Sequence, residues 1–394
     1  MTPGPDPGRT ATESPQDPGP FGVYVHVPFC RFRCDYCAFA TYTDRDHLMR
    51  RYVDACVTQL DRARDSGELR PATSVFFGGG TPSRLPADEL LRVLEAIPRT
   101  SDCEVTVECN PEDAELDRLR AYRRGGVNRM SFGVQSTARH VLAGLGRRHG
   151  VDGLDRVSEG VTGAGFATWN LDLIFGGPGE TNGDWQRTLD DVLSLTSPPP
   201  HVSAYALSVE PGTPLARDPA RHPNDDVQAD RYETADRVLG AAGLEWEEVS
   251  NCALPGHRCR HNRLYWDQGD YLGVGSAAHS HRHGRRWWNL LTPDRFVAAV
   301  ESGAPVIAGE ELLTPDQRAF EALALSLRTT AGVPEVALPP SPDLEGLVER
   351  RGGRAVLTVR GRLLANVVTA RLDPDAVLAR VPEMAVPAAL APPG

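Results

Sequence analysis

The feature that most constrains this chain is a rhythm. After its first twenty residues, short β-rich runs alternate with amphipathic helical runs at intervals of roughly 30 residues, the pattern of βα units around a parallel sheet. Six units can be counted, with predicted strands at Val23–Val27, Val75–Phe77, Val105–Glu108, Asn128–Gly133, Thr168–Phe175 and Val202–Ser208. Between and after them the periodicity predicts helices at Leu48–Arg64, Ala87–Ile97, Ala114–Arg124, Leu154–Gly163, Trp185–Leu195 and Val227–Ala242, several stopped by Gly. The expected fold is α/β, a partial (β/α)6 barrel of the TIM type. In such barrels the chemistry collects on loops at the C-terminal ends of the strands. The unusual residues of this chain fall there: a cysteine loop, Gly78–Pro82, Glu108–Pro111, Gly133–Ser136, Asp172 with Gly176–Gly179, and Glu210–Pro214.

The organisation expected is a disordered Pro/Gly-rich tail at residues 1–20, the barrel at 21–244, an aromatic and histidine-rich extension at 245–309, and a small winged-helix-like α+β module at 310–394. The module's signals are a helix over Pro315–Leu327, a strand near Ala355–Val359 and a helix near Leu363–Thr369. The 42 Lys and Arg against 53 Asp and Glu give a net charge of −11, which opposes binding to a phosphate backbone, so nucleic acid is not an expected partner. No window reaches the ~18–20 uncharged apolar residues of a membrane span, and the tail lacks the apolar segment of a signal peptide. A cytoplasmic, non-integral protein is expected, a monomer or dimer.

Eight cysteines in 394 residues are too few for a disulfide scaffold. Cys56, Cys103, Cys109, Cys252 and Cys259 are scattered and read as small buried hydrophobes. Cys30, Cys34 and Cys37 differ, because three thiols within eight residues can converge on one metal centre. They are one short of a closed four-ligand zinc cage. An iron–sulfur cubane held by three thiolates instead leaves one iron free for an exchangeable ligand. A zinc loop completed by His26, and a group of ordinary thiols, remain open on spacing alone.

The spacing CX3CX2C after a first strand, with Tyr36 before the last cysteine, resembles the signature of radical S-adenosylmethionine proteins. The resemblance implies a 4Fe–4S cluster on Cys30, Cys34 and Cys37 whose open iron is chelated by S-adenosylmethionine, with cleavage of the sulfonium to a deoxyadenosyl radical. Tyr24–Cys30, Phe77–Ser83, Glu108–Pro111, Gly126–Ser136, Leu145–His149 and His201–Glu210 resemble, in order, the coproporphyrinogen III dehydrogenase-like family within that group, over about Phe21 to Leu372. Carried over residue by residue, the family implies S-adenosylmethionine contacts at Tyr24, Tyr36, Gly79, Gly80, Thr81, Glu108, Gln135, Arg147, Asp172 and Ala206.

Two features divide that family. The anaerobic dehydrogenase is expected to carry a further cysteine two positions after its third, where this chain has Phe39. In addition, His261–Trp266 resembles the HNxxYW motif of the family's heme-chaperone group, as does Tyr271–Ser280. The resemblance thus implies heme as cargo, an acceptor protein of unknown identity, and a reductant for the cluster. The oxygen-independent dehydrogenase is the alternative. Heme needs an aromatic surface and an axial imidazole, and His261, Tyr265, Trp266 and His279 are the candidates. His261 with Asn262 also reads as a hydrogen-bonded core pair locking the barrel's end, and His281 and His283 read as exposed loop residues.

Overall fold

The computed structural model describes residues 19–147 and 153–378. The predicted tail, except residues 19–20, the Pro/Ala-rich end, and Arg148 and His149 of the Leu145–His149 motif lie outside them. The six predicted units are present: β1 (Phe21–Val27), α1 (Met49–Asp65), β2 (Ala72–Gly79), α2 (Ala87–Glu95), β3 (Arg99–Cys109), α3 (Leu116–Arg124), β4 (Arg129–Gln135), α4 (Arg139–Gly144), α5 (Gly153–Ala164), β5 (Thr168–Phe175), α6 (Asn182–Leu193), β6 (His201–Ala206) and α7 (Asp225–Ala241). Strands β1 to β6 pair in parallel with their sequential neighbours, as a right-handed βα progression requires.

The side-chain parity of these strands explains both core and site. Successive residues point to opposite faces. Val23, Val25, Val75, Phe77, Val105, Val107, Met130, Phe132, Leu171, Leu173 and Val202 are all buried in one apolar cluster under the helices. Their alternates, Tyr24, Phe76, Thr106, Glu108, Arg129, Ser131, Asn170, Asp172, His201, Ser203 and Tyr205, line a cavity in the barrel's lumen. TIM-barrel lumens are ordinarily filled with branched apolar residues. Here the inward positions are mainly polar, so one-half of the strand pattern builds stability and the other half builds chemistry.

The segment after α7 completes the barrel sheet rather than forming its own layer. On one edge β8 (Asn251–Ala253) adds antiparallel to β6, and β7 (Glu245–Glu248) adds antiparallel to β8 as the outermost strand. Helix α8 (Arg260–Trp266) follows, and then β9 (Asp270–Val274) joins the opposite edge parallel to β1. From β9 the sheet continues antiparallel through β10 (His279–Arg282), β11 (Arg285–Asn289) and, after α9 (Pro293–Ser302), β12 (Ile307–Leu312), giving twelve strands in all. Strand β12 crosses the expected boundary at residue 309.

The terminal module consists of α10 (Pro315–Leu327), β13 (Val333–Pro334), β14 (Val348–Arg351), β15 (Arg354–Leu357), α11 (Val359–Leu363), α12 (Ala365–Thr369) and α13 (Pro374–Leu378). Helix α10 starts on a Thr314/Gln317 capping box, which satisfies its first amide donors. The module has its own core around Leu327, Val333, Leu347, Leu357 and Val368. It docks on the barrel through Arg362, which lies 3.8 Å over the Trp246 ring and 2.5 Å from Asp236.

Candidate functional site

The loop after β1 is closed by main-chain bonds. Tyr42 N–H donates to Pro28 O at 2.8 Å and Cys30 N–H to Tyr42 O at 3.1 Å. Between these pins, Cys30, Cys34 and Cys37 all face one cavity of about 490 Å³, as free thiols. Tyr36, Gly79, Gly80, Thr81, Glu108, Gln135, Arg147, Asp172 and Ala206 line the same cavity. Tyr24 stands deeper, in the adjoining lumen of about 230 Å³, where Gly79, Glu108 and Asp172 are shared walls.

The glycine turn explains how backbone reaches the thiols. Gly80 N–H donates to Val27 O at 2.8 Å, and a Cβ on Gly80 would lie 2.8 Å from Val27 O, 2.9 Å from Phe29 O and 3.1 Å from Cys30 Sγ. Gly79, at φ +106, would carry a Cβ 2.4 Å from the His26 ring; only glycine meets both demands. Gln135 holds a left-handed φ of 66 at the end of β4, beside a register shift. Such strain in a non-glycine residue persists where the surroundings over-determine it, as at binding sites.

The charged groups are fixed by a few hydrogen bonds. Glu108 Oε2 accepts from Gly79 N–H at 3.2 Å. Asp172 accepts from Ser131 Oγ and from Asn170 Nδ2, both at 2.9 Å. Arg147 donates to Asn110 Oδ1 at 2.9 Å and to Tyr36 OH at 3.2 Å. Burial opposes the charge of Arg147, but Tyr36 and Cys34 beside it prevail and hold its pKa above the arginine norm. Arg147, Glu108 and Asp172 thus offer a guanidinium and two carboxyl groups to a ligand that carries both carboxylate and amino functions.

Burial, and then the neighbouring Asp172, push Glu108 up from 4.5 to about 8, with the Gly79 hydrogen bond acting against them. A carboxyl with a raised pKa stabilises the fold fully below its unfolded value and loses that contribution as pH rises through the folded one. The apo protein is accordingly expected to lose stability between pH 4.5 and about 8. Glu108→Gln should flatten that part of the profile, which melting temperatures of both proteins across this range will show. An unchanged slope would place the titration elsewhere.

His26 does not complete a zinc cage. Its Nε2–H donates to Ala40 O at 3.0 Å, and its Nδ1 accepts from Tyr24 OH at 3.1 Å, so both ring nitrogens are used. Among the described residues no three His, Cys, Asp or Glu side chains are gathered as for a single ion. Three thiols set around a cavity instead suit a polynuclear cluster, in which each thiolate takes a separate iron. The donor set fits that group.

The four heme candidates separate. His261 is fully buried, its Nδ1 2.9 Å from Ser74 Oγ and its Nε2 2.8 Å from Tyr265 OH. Its ring stacks on Phe76 at 5.3 Å, and burial lowers its pKa to about 3. The α8 motif thus packs near the starts of β1 and β2, where His261 and Leu264 contact Gly22, at the end of the barrel opposite the cysteines. His261 is presented to no ligand, and Tyr265 is its partner; Trp266 is half-buried on the same helix. His279 is exposed and stacks on Trp288 at 5.7 Å. It lies at the cluster end, since β9 runs with Val274 opposite Val25 and β10 starts just beyond, and after burial its proximity adds to the lowering of the His26 pKa.

His281 is not a loop residue as the sequence suggested. It is buried in β10, with Nδ1 donating to Gly269 O at 2.9 Å and Nε2 accepting from Gly284 N–H at 3.1 Å. His283 is exposed as expected, 3.3 Å from Asp270. The five scattered cysteines are all buried. Sequence reasoning missed Asn110 and Thr41. Asn110 stood inside a post-strand motif in which only Glu108 received a role, whereas Thr41, four residues past the last cysteine, carried no signal.

Residues 24–192 match the family model of the Radical SAM superfamily. The chain is 39% identical over 377 residues to the heme chaperone HemW of Mycobacterium tuberculosis, covering 91% of this chain and 96% of that protein. It is 37% identical to the heme chaperone HemW of Escherichia coli over 66% of this chain and 70% of that protein. It is also 36% identical to the mitochondrial radical S-adenosyl methionine domain-containing protein 1 of Bos taurus, over 82% and 77%. Among solved structures, the coproporphyrinogen III oxidase HemN of Escherichia coli superposes with a TM-score of 0.77 at 23% identity, covering 89% of each chain.

Proposed function

We propose that this chain, which belongs to the HemW family of radical SAM proteins, binds heme and hands it to an acceptor protein, and carries a 4Fe–4S cluster with exchangeable S-adenosylmethionine. The observation that carries the reading is the single cavity on which Cys30, Cys34, Cys37 and nine of the ten expected S-adenosylmethionine contacts converge. The cluster, when bound, would supply an electron at an iron open to a ligand. The chain's own residues hold and orient. Cys30, Cys34 and Cys37 would supply the thiolates, Arg147 would pair with the ligand's carboxylate, and Glu108 and Asp172 would accept from its amino and ribose groups.

Heme is assigned to the rim and not to the lumen, whose walls are mostly polar. His279 offers an exposed imidazole that makes no hydrogen bond among the described residues, backed by Trp288. An aromatic face with one imidazole suits a heme ligand. Phe39, two-thirds exposed at 66%, stands where the dehydrogenase is expected to carry its further cysteine, which favours chaperone over decarboxylase.

Anaerobic reconstitution tests the whole reading. The expected product holds about four irons per chain, shows a spectrum that S-adenosylmethionine perturbs, and takes up hemin at near-equal stoichiometry. Zinc uptake in place of iron, or no hemin binding, would sink it. His279→Ala should weaken hemin binding at least tenfold and shift the Soret band, with iron content unchanged. An unaltered Soret titration would move the axial ligand elsewhere.

A further inference from the structure

We infer that two threonine hydroxyls aimed at Cys30 set the reduction potential of the cluster, one of them held in place by an Arg147–Asn110 relay. The inference rests on the cluster reading above and concerns Thr41 and Asn110, which it leaves without a role, and a second task for Thr81 and Arg147. Arg147 can only donate, so its 2.9 Å bond to Asn110 Oδ1 fixes that amide with its oxygen toward the guanidinium. The Asn110 Nδ2 then faces Thr81 Oγ1, 3.4 Å away, and donates to it. The Thr81 hydroxyl keeps its own proton, and a Cys30 thiolate 3.5 Å away, which can only accept, draws that proton to Sγ. Each orientation follows from the one before it, and the chain ends on a sulfur.

Thr41 approaches the same sulfur from the closing strand of the loop. Its residue is 7% exposed, it lines the cavity with the thiols, and its Oγ1 is buried without a hydrogen-bond partner among the described residues. Its side chain faces Cys30 across that cavity. The Phe29–Tyr42 bridge next to it holds this geometry. A buried hydroxyl without a partner destabilises the apo protein, whereas a cluster-bound thiolate would give it an acceptor. Hydrogen bonds to cluster sulfurs are among the levers that set the potential, because they favour the reduced, more negative state.

The test is a redox titration of reconstituted protein with dithionite as the one-electron donor, followed by the spectrum of the reduced cluster. Thr41→Val keeps the volume and removes the hydroxyl. It should leave iron content and apo melting temperature unlowered while shifting the oxidised-to-reduced ratio about tenfold toward oxidised at a given donor potential, ~59 mV for one electron. Thr41→Ser should restore the potential, as a purely steric role would not. Thr81→Val should move it in the same direction. A full cluster whose potential is unmoved in both valine variants overturns this inference alone; failure of the wild-type chain to form any iron–sulfur chromophore overturns it together with the proposed function.

Discussion

A chain in which Cys30, Cys34 and Cys37 are all replaced by alanine will fold and melt like the apo protein, yet take up no iron and lose S-adenosylmethionine binding. The all-or-none loss follows from the donor set. No other cysteine is placed to substitute, because Cys56, Cys103, Cys252 and Cys259 are buried away from this cavity, and Cys109, which lines it, is buried with its thiol donating to Asn110 O at 3.2 Å. The fold should survive because the loop is held by its ends, through Tyr42 to Pro28 and Cys30 to Tyr42, with backbone groups that alanine retains. The neighbouring glycine turn is likewise tied by Gly80 N–H to Val27 O and Thr81 N–H to Phe29 O. Hemin uptake should persist, since His279 and Trp288 belong to β10 and β11 and owe nothing to the thiols. Iron analysis, scanning calorimetry, S-adenosylmethionine binding and a hemin titration on one preparation check all four statements. A collapse in melting temperature would show the loop to be structural, and retained iron would show that other ligands hold it.

How much of this was legible in the sequence depended on whether a signal was local. Strand parity is local, and β5 lies at the predicted Thr168–Phe175 while α10 lies at the predicted Pro315–Leu327. The chemistry after each strand was equally readable, since the barrel topology alone brings the loop ends together at one mouth. What stayed hidden was the destination of edge strands. Nothing in Tyr271–Ser280 says that β9 will pair with β1, yet that pairing carries His279 to the cluster end. The His281 error has the same origin. Its neighbours Ser280 and Arg282 read as a polar loop, but pairing with Tyr271 and Arg286 turns the imidazole inward, where backbone groups of Gly269 and Gly284 satisfy it. Asn110 and Thr41 were invisible for another reason, because their roles exist only as contacts between loops that follow different strands.

The histidine of the HNxxYW motif will prove a stability residue when tested by His261→Ala. Its ring fills a core position between Phe76 and Tyr265, with centroids at 5.3 and 4.9 Å, and bridges Ser74 to Tyr265. Truncation leaves a cavity and removes one partner from each of two buried hydroxyl groups, which together cost about 2–4 kcal/mol. Urea unfolding of the apo protein should show that loss. A pH signature should accompany it. With its pKa lowered to about 3 by burial, His261 contributes stability that is present above its unfolded value of 6.5 and fades as pH falls. The alanine variant should therefore lose less stability than wild type between pH 6.5 and pH 3. The hemin titration separates this role from ligation, because an axial imidazole must expose a nitrogen and His261 has both engaged in a fully buried position. Folded His261→Ala protein should bind hemin as wild type does, while His279→Ala should not. The opposite pattern, unchanged unfolding with hemin binding lost, would mean that α8 leaves the barrel's end when heme arrives.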